Sequence, residues 1–94
     1  MILEVADIRV TDRDGFIAAY RCAVDVLRTC PGCQSVRMTA GIEDPLRFTL
    51  IVEWDSVAAH EENFRATERF TTWRGAISPF FAQPPFVEHF SDVD

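Results

Sequence analysis

The chain has 94 residues, enough for one domain over residues 1–94, with 48% hydrophobic residues and a formal net charge of −6. The acidic balance argues against a nucleic-acid partner or an anionic membrane, because phosphate and headgroup charges repel an acidic surface. All nine basic residues are arginine, so no lysine is present to form a Schiff base or to serve a phosphate-binding loop.

The first predicted element is a strand over residues 2–10 with apolar residues on both faces, a pattern typical of a strand covered on both sides. The two sets are Ile2, Ala6, Ile8 and Val10 on one face and Leu3 and Val5 on the other. Acidic Glu4 and Asp7 interrupt this stretch. It therefore predicts neither a signal peptide nor a membrane span, and we expect a cytoplasmic protein.

An amphipathic helix is predicted after the turn at residues 11–15, and it ends near Cys30. Its apolar face is formed by Phe16, Tyr20, Val24 and Leu27, which recur at helical spacing. Pro31-Gly32 then predicts a helix stop and a turn.

Cys30 and Cys33 have the spacing of a redox or metal motif, and three cysteines with a histidine could formally complete a zinc site. Reactive pairs of this kind lie at helix N-termini. Cys30 instead falls at a helix C-terminus, where the helix dipole raises the pKa of a thiol. We therefore expect these cysteines to be structural.

Two further strands are predicted as a hairpin, over about residues 34–41 and from Arg47 to Trp54, with the turn at residues 43–45. The alternation in the second of them separates Phe48, Leu50, Val52 and Trp54 from Thr49, Ile51 and Glu53. Asp55 or Ser56 is then expected to cap a helix.

The last elements are a further helix, capped by Thr67 and stopped at Pro79, and a short strand over residues 86–90. The helix carries an apolar stripe of Phe70, Trp73, Ile77 and Phe80 or Phe81. His89, on a strand predicted at the edge of the sheet, is expected at the surface.

The predicted fold class is α+β. The order β-α-β-β-α-α-β describes a split βαβ unit whose second crossover is broken into two helices. Right-handed crossovers and sequential pairing make it a ferredoxin-like antiparallel sheet with helices on one face. The other face needs a cover, and a second copy of the chain in a homodimer is the expected one.

Nine of the eleven aromatic residues lie between Arg47 and Phe90. So many rings around few polar groups predict an apolar small-molecule site. The four glycines are isolated, which leaves no dinucleotide or flavin fingerprint, and His60 lacks the second histidine of a zinc-hydrolase motif. If the chain is an enzyme, we expect it to work without an organic cofactor or a metal.

The order and spacing of several motifs resemble the antibiotic-biosynthesis-monooxygenase (ABM) domain family. The motifs are Phe48-Thr-Leu-Ile-Val-Glu-Trp54-Asp-Ser, then His60 and Phe64, then Phe70, Trp73 and Ile77 before a proline-led strand. The resemblance implies a dimeric α+β barrel, in which each protomer keeps a pocket between sheet and helices. It also implies oxygenase chemistry, since members that use neither metal nor flavin oxidise anthrones, quinols and similar electron-rich aromatics.

The same resemblance implies roles for particular residues. Trp54 would pack on the substrate, His60 would accept or orient a proton, and Arg74 would stabilise an oxyanion. The substrate-binding wall would comprise Leu50, Phe64, Trp73 and Ile77. Structural alternatives stay open: Trp54 as a core or interface ring, His60 bonded to a neighbouring carboxylate, and Arg74 as a solvated rim residue.

Two functions remain open at this stage. One is a cofactor-independent monooxygenase that tailors a polyketide-like aromatic with O₂. The other is a non-oxidative dimeric barrel, cyclase-like or ligand-binding, that acts on a hydrophobic metabolite. Leu50 stands where anthrone-oxidising members carry Asn, which favours the second, whereas His60 with Arg74 favours the first. Haem breakdown is not expected, because Trp73-Arg74 stands where haem-degrading relatives carry a His.

Overall fold

The computed structural model describes residues 1–94 and contains one four-stranded antiparallel sheet with helices on one face. The strands are β1 (Ile2–Arg9), β2 (Cys33–Ala40), β3 (Arg47–Trp54) and β4 (Phe86–Phe90). Their order across the sheet is β2-β3-β1-β4, so β3 lies between β1 and β2, and β3 and β1 occupy the centre. The predicted ferredoxin-like arrangement is confirmed.

The first helix, α1, spans Arg13–Arg28. The side chain of Asp12 caps it by accepting a hydrogen bond from the Gly15 N–H at 3.1 Å. Beyond its end, Gly32 adopts a φ of +90°, a conformation that residues with a Cβ rarely adopt. The predicted helix stop and turn at Pro31-Gly32 is confirmed, and it directs the chain into β2.

The helix predicted after Asp55 or Ser56 has an unusual form. The Ser56 hydroxyl accepts a hydrogen bond from the Ala59 N–H at 3.0 Å, so Ser56 is the capping residue. Ala59–Arg65 then forms a π-helix, with the Ala66 N–H donating to the Glu61 carbonyl five residues earlier at 2.9 Å. Such wide turns are rare and occur frequently at functional sites.

The second α-helix, α2, spans Glu68–Ile77, and a 3₁₀ turn over Ser78–Phe80 contains Pro79. Thr67 stands at the predicted N-cap position but does not cap with its side chain. Its hydroxyl instead donates to the Phe64 carbonyl at 2.8 Å, which closes the end of the π-helix.

The hydrophobic core lies between the sheet and the helices. Strand β3 contributes Phe48, Leu50, Val52 and Trp54, each at most 2% exposed. Strand β1 is buried at Ala6 and Ile8, as predicted, and also at Glu4, which takes a core position in the alternation. No helix in the structure has the length and apolar character that crossing a membrane requires.

The opposite face of the sheet has no helix over it. The pairing places Leu3 opposite Phe90, Val5 opposite Ile51 and Asp7 opposite Phe86 on this face. The apolar side chains among them stay partly or largely exposed, with Phe86 at 65% and Phe90 at 48%.

Candidate active site

A cavity of about 500 Å³ lies between the helical face of the sheet, the π-helix, α2 and the segment that leads into β4. Most of its wall is apolar. The predicted site residues that line it are Leu50, His60, Phe64, Trp73, Arg74 and Ile77. These six residues come from three separate elements, β3, the π-helix and α2, and they meet around one space.

Trp54 is the one predicted site residue that does not line the cavity. Its side chain is 0% exposed, and its ring stacks on the imidazole of His60 with centroids 5.0 Å apart and an interplanar angle of 22°. Trp54 thus supports the cavity wall from behind.

The polar centre of the cavity wall is Glu4, which the sequence motifs did not assign to the site. Its Oε1 accepts a hydrogen bond from the Trp54 indole Nε1–H at 3.0 Å and lies 3.2 Å from Nε2 of His60. Glu4 and His60 are the only buried polar or charged residues, at 6% and 2% exposure. An unpaired carboxylate at this depth would be costly, so the two nitrogen partners make its burial tolerable.

His89 completes the polar cluster from β4. Its Nε2 lies 2.8 Å from Nδ1 of His60, and the two rings meet edge to face. The prediction that His89 lies at the surface is wrong. The alternation of β4 turns Val87 and His89 toward the helices, and His89 is half-buried there.

One set of proton positions satisfies every contact in this cluster. If Glu4 is ionised, His60 carries its proton on Nε2, which faces Oε1 of Glu4 at 3.2 Å, and accepts at Nδ1 from the Nε2–H of His89. This tautomer is assigned from the hydrogen-bond pattern. Both ring nitrogens of His60 are then occupied.

Burial shifts both central groups toward their neutral forms. The pKa of Glu4 is raised, chiefly by burial, against the lowering effects of the Trp54 N–H and the Arg65 charge. The pKa of His60 is lowered to about 4, by burial first and then by His89 and Arg65. His60 is therefore a neutral imidazole at pH 7, and Glu4 is a stronger base than an exposed carboxylate.

The same region contains a set of possible metal ligands. His60, His89 and the exposed Glu61 bring one ligand atom each within 4.8 Å of one another. The donor types would suit a transition metal. However, ligand atoms about 2.0–2.1 Å from a tetrahedral ion lie about 3.4 Å apart, whereas the two imidazole nitrogens lie 2.8 Å apart. The arrangement fits a shared proton better than an ion.

Two arginines bring positive charge to the cavity wall. Arg65 follows His60 on the π-helix and lies over the ring of Phe70, 5.3 Å from its centroid. Arg74 is exposed on α2, and no carboxylate lies within 4.0 Å of either guanidinium. Both are free to interact with negative charge on a bound molecule.

The cysteines lie away from this cavity. Burial raises the pKa of the Cys30 thiol, which donates to the Asn63 carbonyl at 3.3 Å. Burial also raises the pKa of Cys33, to about 11. Both thiols stay protonated near neutral pH, which agrees with the expectation that the pair is structural rather than a nucleophile.

The fold is that of a ferredoxin-like α+β protein with a cavity between sheet and helices, and comparison with known proteins identifies its family. Residues 1–76 match the model of the family described as "Antibiotic biosynthesis monooxygenase". The chain belongs to this family, so the resemblance drawn from its motifs is confirmed.

Related proteins agree with this assignment. A Bordetella bronchiseptica structure that carries the family's name is 35% identical, with a TM-score of 0.92 over 98% of this chain and 96% of that one. The Bacillus subtilis protein YczJ, which is uncharacterised, is 27% identical over 99% of this chain and 100% of its own length. SnoaB from Streptomyces nogalater is a cofactor-independent oxygenase, and its structure is that of a point mutant. It shares the fold with a TM-score of 0.85 at 13% identity, over 99% of this chain and 93% of that one.

Proposed function

We propose that this protein is a cofactor-independent monooxygenase that oxidises an electron-rich aromatic small molecule with O₂. The proposed substrate class is the anthrone or quinol type found among polyketides. One observation carries the proposal: an apolar cavity of about 500 Å³ ends at the buried Glu4–His60 pair. Membership of the family supports it, as does the shared fold with an oxygenase that needs no cofactor.

The chemistry follows from what such a cavity can supply. Without a redox cofactor, the substrate itself must be the reductant. Once deprotonated, it can pass an electron to O₂ and then combine with the reduced oxygen. The protein has to provide a dry space, a group that assists deprotonation and a donor for the developing oxyanion. The cavity volume lies within the range of about 300–1,000 Å³ that is usual for small-molecule sites.

Each requirement has a candidate in the cavity wall. The Glu4–His60 pair would assist deprotonation, because its buried groups are shifted toward their neutral forms. Arg74 would stabilise the oxyanion, as its guanidinium has no carboxylate partner. The aromatic body of the substrate would lie against Leu50, Phe64, Trp73 and Ile77. Trp54 would support His60 and Glu4 from behind.

The active unit proposed here is a homodimer, in which a second copy covers the open face of the sheet. The cavity lies on the helical side of the same sheet. Each protomer would therefore keep a cavity of its own.

A non-oxidative role in binding or cyclising a hydrophobic metabolite is the second candidate. Leu50 favours it, since this buried cavity residue is apolar where anthrone-oxidising relatives carry an Asn. The cavity then has one hydrogen-bonding group fewer with which to hold an oxidisable substrate.

Oxygen uptake separates the two candidates. The purified protein would be incubated with a panel of anthrones and hydroquinones in an oxygen electrode, with and without a chelator, and the products analysed by mass spectrometry under ¹⁸O₂. For a cofactor-independent monooxygenase, we expect the same rate of oxygen uptake with and without the chelator. One labelled oxygen atom should appear in the product, and the other should leave as water. Binding of panel members without oxygen uptake would favour the non-oxidative role.

A further inference from the structure

One oxygen atom of the polar cluster has no partner. Oε1 of Glu4 has both the Trp54 indole and the His60 imidazole as neighbours. Oε2 takes part in no hydrogen bond. Every fully buried side-chain nitrogen or oxygen atom in the structure has a hydrogen-bond partner, so Oε2 cannot be fully buried. Oε2 is therefore accessible, and because Glu4 lines the cavity, its free oxygen is available to a bound molecule.

We infer that Glu4 is the general base of this cavity and that its Oε2 takes the proton from an acidic C–H or O–H of the substrate. The inference deepens the proposed function and rests on it for the identity of the substrate class. His60 is then a positioning residue, whose Nε2 lies 3.2 Å from Oε1 and leaves Oε2 as the oxygen available to the cavity.

Both ring nitrogens of His60 already have neighbours, and this supports the division of roles. Its Nε2 faces Glu4 at 3.2 Å and its Nδ1 faces His89 at 2.8 Å. A substrate could reach a lone pair of His60 only after His89 had moved away. Glu4 can accept a proton with every existing contact in place, since the Trp54 N–H stays on Oε1 and His60 stays beside it while the proton arrives on Oε2.

The step balances as a simple proton transfer. The substrate C–H or O–H bond breaks, its electron pair stays on the substrate as an enolate or phenolate, and an O–H bond forms at Oε2. The anion is the reductant that later meets O₂, and Glu4 itself is neither oxidised nor reduced. Before the transfer the carboxylate is charged, and after it the charge lies on the substrate near the cavity arginines.

Several charged groups face Glu4 and tune its strength as a base. Burial raises its pKa most, and Glu61 raises it further. The Trp54 N–H and the Arg65 charge lower it. His89 does not contact Glu4 directly and acts on it through its contact with Nδ1 of His60.

The substitution Glu4→Gln isolates the proposed role. Glutamine keeps the size of the side chain and an oxygen that can accept from Trp54, but it places an amide nitrogen where Oε2 stood. Glu53→Gln is the matched control, because Glu53 lies on the open face of the sheet and accepts from the Ser35 hydroxyl at 2.7 Å. Melting temperatures of both variants establish that the fold is intact.

Anaerobic hydrogen exchange measures the proton transfer without the oxidation. An anthrone is incubated in D₂O with each protein, and deuterium uptake at its methylene carbon is followed by mass spectrometry. Wild type and Glu53→Gln should accelerate exchange over buffer, and Glu4→Gln should lose about 10²–10⁴-fold of that acceleration, the range for a lost general base. No acceleration by wild type, or equal acceleration by Glu4→Gln, would overturn the inference.

Oxygen uptake measured in parallel distinguishes this inference from the proposed function. Exchange that depends on Glu4 without any oxygen uptake would refute the monooxygenase and leave Glu4 as the base. Oxygen uptake that survives in Glu4→Gln would refute the base and leave the monooxygenase.

The positioning role of His60 is tested by His60→Phe, which keeps a ring against Trp54 but removes the N–H to Glu4. Removing the N–H dipole that faces Oε1 at 3.2 Å should raise the pKa of Glu4, so the acidic limb of the kcat/KM profile for exchange should move to higher pH. Complete loss of exchange in His60→Phe, with the fold intact, would instead identify His60 as the base.

Discussion

Arg74 carries the proposed stabilisation of the oxyanion, and its exposure makes that role testable apart from stability. Its side chain lies on the cavity wall outside the buried stripe of α2. We expect Arg74→Ala to lower kcat for oxygen uptake by about 10²–10³-fold, as for a lost oxyanion donor, with the melting temperature almost unchanged. Arg21→Ala, an exposed change on α1, is the control. Equal kcat in the two variants would remove Arg74 from the site.

His60 should leave a signature in the pH dependence of stability. Its pKa is about 4 in the folded protein against an ordinary 6.5, so between these values the unfolded chain binds a proton that the folded chain does not. Stability is therefore lost as the pH falls from 6.5 toward 4, by at most about 3 kcal/mol at about 1.36 kcal/mol per pKa unit. The raised pKa of Glu4 acts in the opposite sense, because its contribution is lost as the pH rises.

Urea denaturation at a series of pH values checks this prediction. The difference in unfolding free energy between wild type and His60→Phe should decrease as the pH falls through that window. A difference that stays constant from pH 7 to pH 4 would show that His60 is no harder to protonate in the folded protein than in the unfolded chain.

Single residues show where sequence analysis of the site was limited. The burial of Leu50, Phe64, Trp73 and Ile77 could be predicted, because spacing alone places apolar residues on a buried face. Glu4 was missed, although the alternation of β1 puts it on the same face as Ala6 and Ile8. A carboxylate at an inward strand position was the available signal, but its meaning depends on partners about 50 residues away in the sequence.

At the scale of elements, Gly32 connects the turn after α1 to the π-helix. Its φ is +90°, and a Cβ built there would lie 2.7 Å from the Cβ of Ala59, next to His60. Gly32→Ala should therefore destabilise the fold by about 1–3 kcal/mol, from backbone strain together with this contact. Thermal and urea unfolding measure the change.

Gly75 provides the matched control for that substitution. It lies inside α2, and a Cβ built on it meets nothing within 4 Å. Gly75→Ala should stabilise the protein by about 0.5–1 kcal/mol, since alanine is the better helix former. Equal effects from the two substitutions would show that neither the φ of Gly32 nor its contact with Ala59 matters for stability.

The elements also separate what local sequence can specify from what it cannot. Strand periodicity and turn residues were enough to predict all four strands and their order along the chain. The π-helix was predicted only as a helix, because His60 and Phe64 four residues apart suit an α-helical face equally well. Local spacing therefore does not distinguish the π-helix over Ala59–Arg65 from an α-helix.

At the scale of the whole molecule, the open face of the sheet presents apolar side chains that no other part of the chain covers. Apolar residues from β1, β3 and β4 meet on it, and they include Leu3, Val5, Ile51, Phe86 and Phe90. Exposed apolar surface of this kind marks an interaction site. A twofold axis would let two copies of one face cover each other, and the homodimer was predicted for the same reason from the sequence.

We expect light scattering at micromolar concentration to give twice the chain mass of 10.7 kDa. The double substitution Phe86→Glu with Phe90→Glu should shift the protein toward monomer, because two buried charges on each side would face an apolar partner. Ile42→Glu is the control, since Ile42 is 91% exposed in the β2–β3 turn and should leave the mass unchanged. A wild-type mass near 10.7 kDa would contradict the dimer. Because His89 points from β4 to the opposite face, a monomeric double variant that retains exchange activity would show that each cavity works without the partner.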